Sequence, residues 1–360
     1  RISSSVPFFR ENNLDICVHS VDESSKEISV NLKQAVQKKW YISSFLYDVA
    51  YIFRLEVKRF LFIRRYVQKN RNVDVVVFDH VTSYLYYLFL NKGFLSKIVL
   101  FQHTNGRISD MGKARNAATA RLPHVALIER LFNKNLHKLS KIIFISKNAY
   151  EVFVDENQNH MEKATYILNG IPDLHEPVTY HIPTHKIKLI TVGTITKRKG
   201  ADIIINALSK LSEDVKNKYE LTIVGDGSDR IEFESLAEDL GLNSQVRFVG
   251  KKSQQDVKRL LSHSNVYVQM SLSEGLPLAL LEAMRASLPI ITTDVGGCSE
   301  TVSNDNGYLL NPDPDELASC LSSLSAEKLL DMSYKSRELF EKEFNFDIFI
   351  TKYKQILTEV

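Results

Sequence analysis

Short apolar, β-branched runs recur along the chain, separated by longer amphipathic stretches. In the first half these runs are Leu14–Val18, Val73–Phe78, Lys97–Phe101, Lys141–Ile145 and Thr165–Leu168. In the second half they are Ile187–Val192, Glu220–Val224, Gln245–Val249, Val266–Val268 and Pro289–Thr292. Runs of this kind read as strands buried on both faces of parallel sheets. The amphipathic stretches between them read as crossover helices. The pattern therefore predicts βαβ units twice over, an α/β chain with two Rossmann-like, doubly wound sheets.

The segment from Pro172 to Pro183, with Pro177 between, has polar and charged neighbours and predicts a linker. Glu327–Leu357 predicts helix with a break near Asn345. Phe45–Val67 predicts a long helix rich in aromatic and aliphatic residues, ending in the basic run Lys58 to Arg65. Such a helix suits a membrane interface, and equally a domain core with basic flanks. Two doubly wound sheets joined by a linker leave a cleft, with ligands beyond the carboxyl ends of the strands.

With 360 residues and 44% hydrophobic content, the chain is long enough for two globular domains. No run of about 18 apolar residues predicts a spanning helix, and no signal peptide is visible. Three scattered cysteines, Cys17, Cys298 and Cys320, point to neither a disulfide framework nor a Cys-rich metal site, which fits a reducing compartment. The net charge of +3 is unevenly spread. Residues 1–150 hold 24 Lys and Arg against 11 Asp and Glu, so this part carries +13 and the remainder −10. A basic first half suggests an anionic partner, a lipid surface, a lipid-linked phosphate or a nucleic acid; a solvated basic surface is the alternative.

The chemistry concentrates in the second half. Ser273-Glu274-Gly275-Leu276-Pro277-Leu278 follows the strand Val266–Val268 and leads into an apolar helix containing Glu282. Gly275 permits a tight turn, and Pro277 suits the first helical position. The N–H groups of Leu276, Leu278 and Ala279 would then face the cleft and offer a diphosphate an anion site. A carboxylate at Glu282 in so apolar a helix needs hydrogen-bond partners, which a ribose diol supplies. Glu274, just before the helix, is placed to meet a sugar hydroxyl. Gly193 to Gly200 form a second strand-to-helix turn, where Gly193 admits a ligand and Lys199 supplies a cation for a departing diphosphate.

Gly296-Gly297 predict close backbone approach at a further strand end, and Asn306-Gly307-Tyr308 predict a turn. Val224-Gly225-Asp226-Gly227-Ser228 superficially resembles a dinucleotide fingerprint. Arg230 occupies the place of its last glycine, which argues against a dehydrogenase. In the first half, His103 follows the strand Lys97–Phe101 and would face the cleft.

In this order and spacing, Val192-Gly193…Lys199-Gly200, Val224-Gly225-Asp226-Gly227, Glu274-Gly275-Leu276-Pro277…Glu282-Ala283, Gly296-Gly297…Glu300 and Asn306-Gly307 resemble the retaining GT-B glycosyltransferases of glycosyltransferase family 4. A looser match runs through His103, Ile145-Ser146 and Leu168-Asn169-Gly170-Ile171. The resemblance implies a nucleotide-sugar donor, a UDP- or GDP-sugar, bound by Gly193, Thr194, Arg198, Lys199, Glu274, Gly275, Leu276, Pro277, Leu278 and Glu282. It implies that Glu282 holds the ribose, Glu274 the donor sugar, and Lys199 with the helix start the diphosphate. His103 would help position the sugar, and Glu274, His103 and Lys199 form the catalytic set. No metal and no separate cofactor are implied; Asp313-Pro314-Asp315 lies in a late turn, away from this set.

The implied organisation is an acceptor-side domain over 1–178, a donor domain over 184–340, and a helix over 341–360 crossing back to the first domain. The acceptor would be a glycan or lipid-linked molecule in surface polysaccharide assembly, with the protein in the cytoplasm, peripheral at the inner face of an anionic membrane. No nucleic acid is expected as a partner. Two departures stand out. Thr194 replaces the Arg that usually follows the family's glycine, leaving Lys197 or Arg198 to substitute. Arg1–Phe9 reads as the helix after the family's first strand and Gly-rich loop, which would precede Arg1. A non-catalytic GT-B module and a GT-B nucleotide-sugar epimerase are the alternatives.

Overall fold

A computed structural model of the chain describes residues 44–69, 73–91, 93, 96–103, 123–174, 180, 183 and 186–360. The strand expected at Leu14–Val18, the helix expected at Arg1–Phe9 and Cys17 lie outside these residues. Among those described, ten strands form two sheets, and every pairing within them is parallel.

The first sheet is β1 (Val75–Phe78), β2 (Lys97–Gln102), β3 (Lys141–Phe144) and β4 (Ala164–Tyr166), in that order. Its helices are α1 (Ser44–Lys69), α2 (Val81–Leu90), α3 (Pro123–Asn135) and α4 (Lys147–Glu156). Successive strand side chains point to opposite faces. Val76, Phe78, Ile98, Leu100, Ile142 and Phe144 share a core with the helices, while Val75, Val77, Val99, Phe101 and Ile143 join a second cluster on the other face. Both faces are covered, which is why the runs are continuously apolar.

The second sheet comprises β5 (Ile187–Val192), β6 (Tyr219–Val224), β7 (Val246–Gly250), β8 (Val266–Gln269), β9 (Ile290–Thr293) and β10 (Gly307–Leu310). Its spatial order is β10-β9-β8-β5-β6-β7, so the strand order reverses between β5 and β8. The helices are α5 (Ala201–Ser209), α6 (Arg230–Asp239), α7 (Gln254–Ser262), α8 (Leu278–Arg285) and α9 (Pro314–Ser322).

β10 corrects one expectation. The turn placed at Asn306-Gly307-Tyr308 closes at Asn306. The buried Asn306 side chain accepts from the Ser303 N–H at 2.6 Å and donates to the Thr301 carbonyl at 3.0 Å. Gly307 then enters the sheet, where a Cβ would lie 1.9 Å from the Ile290 carbonyl oxygen. A second correction is smaller: Asp313 is the cap of α9, its carboxylate accepting from the Asp315 and Glu316 N–H groups at 2.7 and 3.2 Å.

The chain closes with α10 (Ala326–Leu339), a π turn over Phe340–Phe344 and α11 (Phe346–Glu359). The break falls at Asn345, whose side chain caps α11 by accepting from the Asp347 N–H at 3.1 Å. α11 packs on the first sheet: Phe349 and Tyr353 meet Phe101 with ring centroids 6.1 and 5.8 Å apart.

The expected linker begins as packed structure. The Ile171 N–H donates to the Phe344 carbonyl and its own carbonyl accepts from the Phe346 N–H, both at 3.0 Å. Asp173 pairs with Arg337 at 2.6 Å, and each side chain is only 11% exposed. Proline spacing alone does not distinguish such an anchored segment from a tether.

Candidate functional site

In a doubly wound sheet, ligands bind where the strand order reverses, beyond the carboxyl ends of the strands. Here that crevice lies between β5 and β8, and the loops leaving those two strands carry the two strongest sequence motifs.

After β5 the chain passes through Gly193 and Thr194, both exposed, and a short 3-10 turn at Lys197–Lys199. A Cβ added to Gly193 would meet nothing closer than the Lys199 side chain at 3.9 Å, so the space above this glycine is open except for that amine's stem. Gly200 ends the turn at φ +67, where a side chain is strained. A Cβ there would also lie 1.8 Å from the Met270 carbonyl oxygen, which presses the β5 loop onto the end of β8.

After β8 the chain runs through Met270, Ser271 and the 272–277 loop into α8. Glu274 is 8% exposed and held by a ring of donors. Its Oε1 accepts from Lys199 Nζ at 2.5 Å, Ser271 Oγ at 2.8 Å and Gln269 Nε2 at 3.4 Å. Arg198 stands 3.6 Å from the same oxygen and donates to the Ser273 carbonyl at 2.6 Å. The sequence reading places Glu274 opposite a sugar hydroxyl; in the structure its Oε1 is engaged by the protein's own cations and polar groups.

Burial of Gln269, Ser271 and Glu274 at the end of an apolar strand is a polar cluster that the sequence reading missed. Beneath it, the Tyr267 hydroxyl donates to Gln269 Oε1 at 3.0 Å. Burial holds that hydroxyl well above its usual pKa, and the Glu274 and Glu282 carboxylates add to the effect. Both glutamates therefore act on one buried group. Cys298 lies under the same region, and burial with the Glu274 charge pushes its thiol up to about 12. It is no thiolate nucleophile at neutral pH.

The two candidate replacements for the missing arginine separate. Lys197 turns to the surface and pairs with Glu232 at 2.8 Å. Arg198 turns into the site. Gly275 is half-buried, and its carbonyl accepts from the Gly297 N–H at 2.6 Å. Leu276 and Pro277 are buried, while Leu278 and Glu282 are half-buried on α8. Pro277 stands one position earlier than expected: with φ −67 and ψ 129 it is the N-cap, and the helix begins at Leu278. Gly296, at φ +55, and Gly297 make the close approach foreseen for them, toward the Glu274–Gly275 backbone. His103 is exposed at the carboxyl end of β2, its ring 5.0 Å from that of Phe101. The rest of its loop, 104–106, lies outside the described residues.

Residues 176–341 match the family described as glycosyl transferases group 1. Among curated relatives, the amylovoran biosynthesis glycosyltransferase AmsK of Erwinia amylovora is 28% identical over 194 residues, 51% of this chain and 45% of that protein. The lipopolysaccharide glucosyltransferase WaaG of Escherichia coli is 30% identical over 203 residues, 52% of each chain. The chain thus spans about half the length of the curated relatives it matches. In fold it is similar to Anabaena HepE, solved with UDP, at TM-score 0.70 and 18% identity, covering 83% of this chain and 82% of that one. It is also similar to the sucrose-phosphate synthase of Thermosynechococcus elongatus, at TM-score 0.70 and 20% identity over 86% and 80%. Residues 176–341 thus match the glycosyl transferases group 1 family, and the two sheets share the GT-B fold of these solved structures.

Proposed function

We propose that this protein is a retaining, metal-independent glycosyltransferase. It moves a sugar from a nucleotide-sugar donor to a glycan or lipid-linked acceptor in surface polysaccharide biosynthesis. The observation that carries the reading is the meeting of Arg198, Lys199 and Glu274 at the β5/β8 crevice. Two cations beside a helix start are what a leaving diphosphate requires. The surface-polysaccharide part rests on AmsK and WaaG, which are named for that chemistry.

In this reading Gly193 and Thr194 border the diphosphate, Arg198 and Lys199 neutralise it, and the 275–278 turn adds N–H groups. Glu282 takes the ribose diol. Glu274 faces the donor sugar, and His103 approaches it from the first sheet. The bond from the sugar's anomeric carbon to the phosphate oxygen breaks as the bond to the acceptor oxygen forms on the same face. The acceptor's proton passes to the departing phosphate oxygen. The first half, residues 1–178, takes the acceptor, 184–340 the donor, and 341–360 crosses back.

An anionic membrane surface fits the outer helical layer of the first half. α2 packs against both α1 and α3. Val57, Leu61, Phe89, Leu127 and Leu131 are exposed on these three helices. Arg64, Arg65, Arg130 and Lys134 are exposed among them. Exposed apolar side chains and cations on the same helices are what an interfacial surface presents.

The deciding experiment is a thermal-shift series with UDP, GDP, ADP and their sugar conjugates, on the wild type and on Glu282→Ala. A ligand that binds only the folded state raises its apparent stability. A shift with one base series that Glu282→Ala abolishes supports the donor site. HepE was solved with UDP, so UDP is the first to try. Normal turnover by Glu282→Ala would overturn the assignment.

A further inference from the structure

The donor-side turn and the first half of the molecule are joined by one carboxylate. Glu300 lies in the 3-10 turn Gly296–Thr301, which follows β9 of the second sheet. Its Oε2 accepts from the Lys147 N–H and its Oε1 from the Asn148 N–H, both at 3.0 Å. These are the first two N–H groups of α4, which leaves β3 of the first sheet. The third, on Ala149, is taken by Ser146 Oγ at 3.1 Å. The opening turn of α4 thus draws two of its three bonds from the opposite half. The Lys147 side chain pairs instead with Glu151 at 3.2 Å, so Glu300 is recognised by backbone amides and by the positive end of the helix.

The same turn presses on the candidate donor loop. At Gly296 a Cβ would lie 1.9 Å from the Glu274 carbonyl oxygen. At Gly297 it would lie 2.8 Å from the Gly275 carbonyl oxygen and 2.9 Å from Ser146 Cβ. Gly297 is therefore wedged between the loop that carries Glu274 and the cap residue of α4. Neither neighbour can shift far without the other.

We propose that Glu300 is a positioning residue: it latches α4 of the first half to the second and, through Gly296 and Gly297, fixes the 273–276 loop that holds Glu274. Separating the halves would leave a half-buried carboxylate without donors and a helix start without an acceptor. The latch therefore favours the arrangement in which Ser146 of the first half stands against Gly297 and the donor loop beside it. The inference rests on the proposed donor site for its consequence, not for its geometry.

Amide hydrogen exchange on the full, ligand-free chain tests the latch directly, comparing wild type with Glu300→Ala and Glu300→Gln. In Glu300→Ala, the amides of Lys147 and Asn148 should exchange about tenfold faster, the equivalent of about 1.4 kcal/mol. Gly297, whose N–H donates to the Gly275 carbonyl, should speed up with them, while β5 and β8 stay protected. Glu300→Gln keeps one acceptor oxygen and should fall between; it carries the test if the alanine variant folds poorly. Unchanged exchange at Lys147 and Asn148 would overturn the latch. Faster exchange confined to those two amides would overturn the coupling to the loop. In a second arm, the dissociation constant for UDP should rise at least about threefold in Glu300→Ala. If the wild type binds neither UDP nor GDP, the donor reading fails while the exchange data still decide the latch.

Discussion

Lys199 Nζ lies 2.5 Å from Glu274 Oε1, although 75 residues separate them in the chain. The cation proposed for the diphosphate is thus held by the carboxylate proposed for the sugar. In that reading the Glu274 carboxylate and a phosphate would compete for the Lys199 ammonium.

Opposite effects on nucleotide binding follow from that pairing. Lys199→Ala should weaken UDP binding about 30-fold, the loss of one charge-assisted contact of about 2 kcal/mol. Glu274→Gln frees the lysine, so UDP should bind as tightly as before or more tightly, while sugar transfer falls. Titration calorimetry on both variants reads the sign. Equal weakening by both would show that the pair acts only as scaffold.

Arg198 and Lys197 should behave as differently as their positions. Arg198→Ala removes a guanidinium 3.6 Å from Glu274 and a bond to the Ser273 carbonyl, and should weaken UDP binding about tenfold. Lys197→Ala removes a surface pair with Glu232, and should leave both UDP binding and stability essentially unchanged. Comparable losses in the two variants would contradict this division.

Gly200 and Gly241 share a φ of +67, but only Gly200 is crowded. Gly241 has nothing within 4 Å of an added Cβ. Gly241→Ala should therefore cost about 1 kcal/mol of backbone strain. Gly200→Ala adds the collision with the Met270 carbonyl and should cost about 3 kcal/mol or more. Urea unfolding of the two variants isolates the contact that joins the β5 loop to β8.

Asp202, in the first turn of α5, has a buried Oδ1 with no hydrogen-bond partner among the described residues. Burial raises its pKa, outweighing the opposite effect of the N–H groups at the start of its helix. The folded state therefore holds this proton more tightly than the unfolded chain does. Its charge costs stability, a cost that appears as pH rises above the unfolded value and is complete above the folded one. Asp202→Asn should raise the melting temperature at pH 7 and give no gain at a pH below the unfolded value. A gain of equal size at both pH values would show that packing, not charge, is the cause.

Much of the fold was legible because each strand of a buried parallel sheet is a compact apolar run. The run Ile187–Val192 matches β5 end to end, and the other described strands differ from their runs by a few residues. β10 was missed because an edge strand of four residues beginning at glycine offers no such run, and a buried asparagine before it looks like turn chemistry.

The sequence by itself determined two Rossmann-like sheets, the glycines at the strand ends, and the presence of Lys199, Glu274 and Glu282 in loops and helices of the second half. Local spacing suffices for these, because period and turn chemistry act over a few residues. Only the tertiary structure decided that β5 lies beside β8, which carries Lys199 to Glu274. It also decided that Arg198 turns inward while Lys197 turns out, and that Glu300 reaches α4. Each of these depends on strand order and on packing between distant segments, which no local pattern encodes.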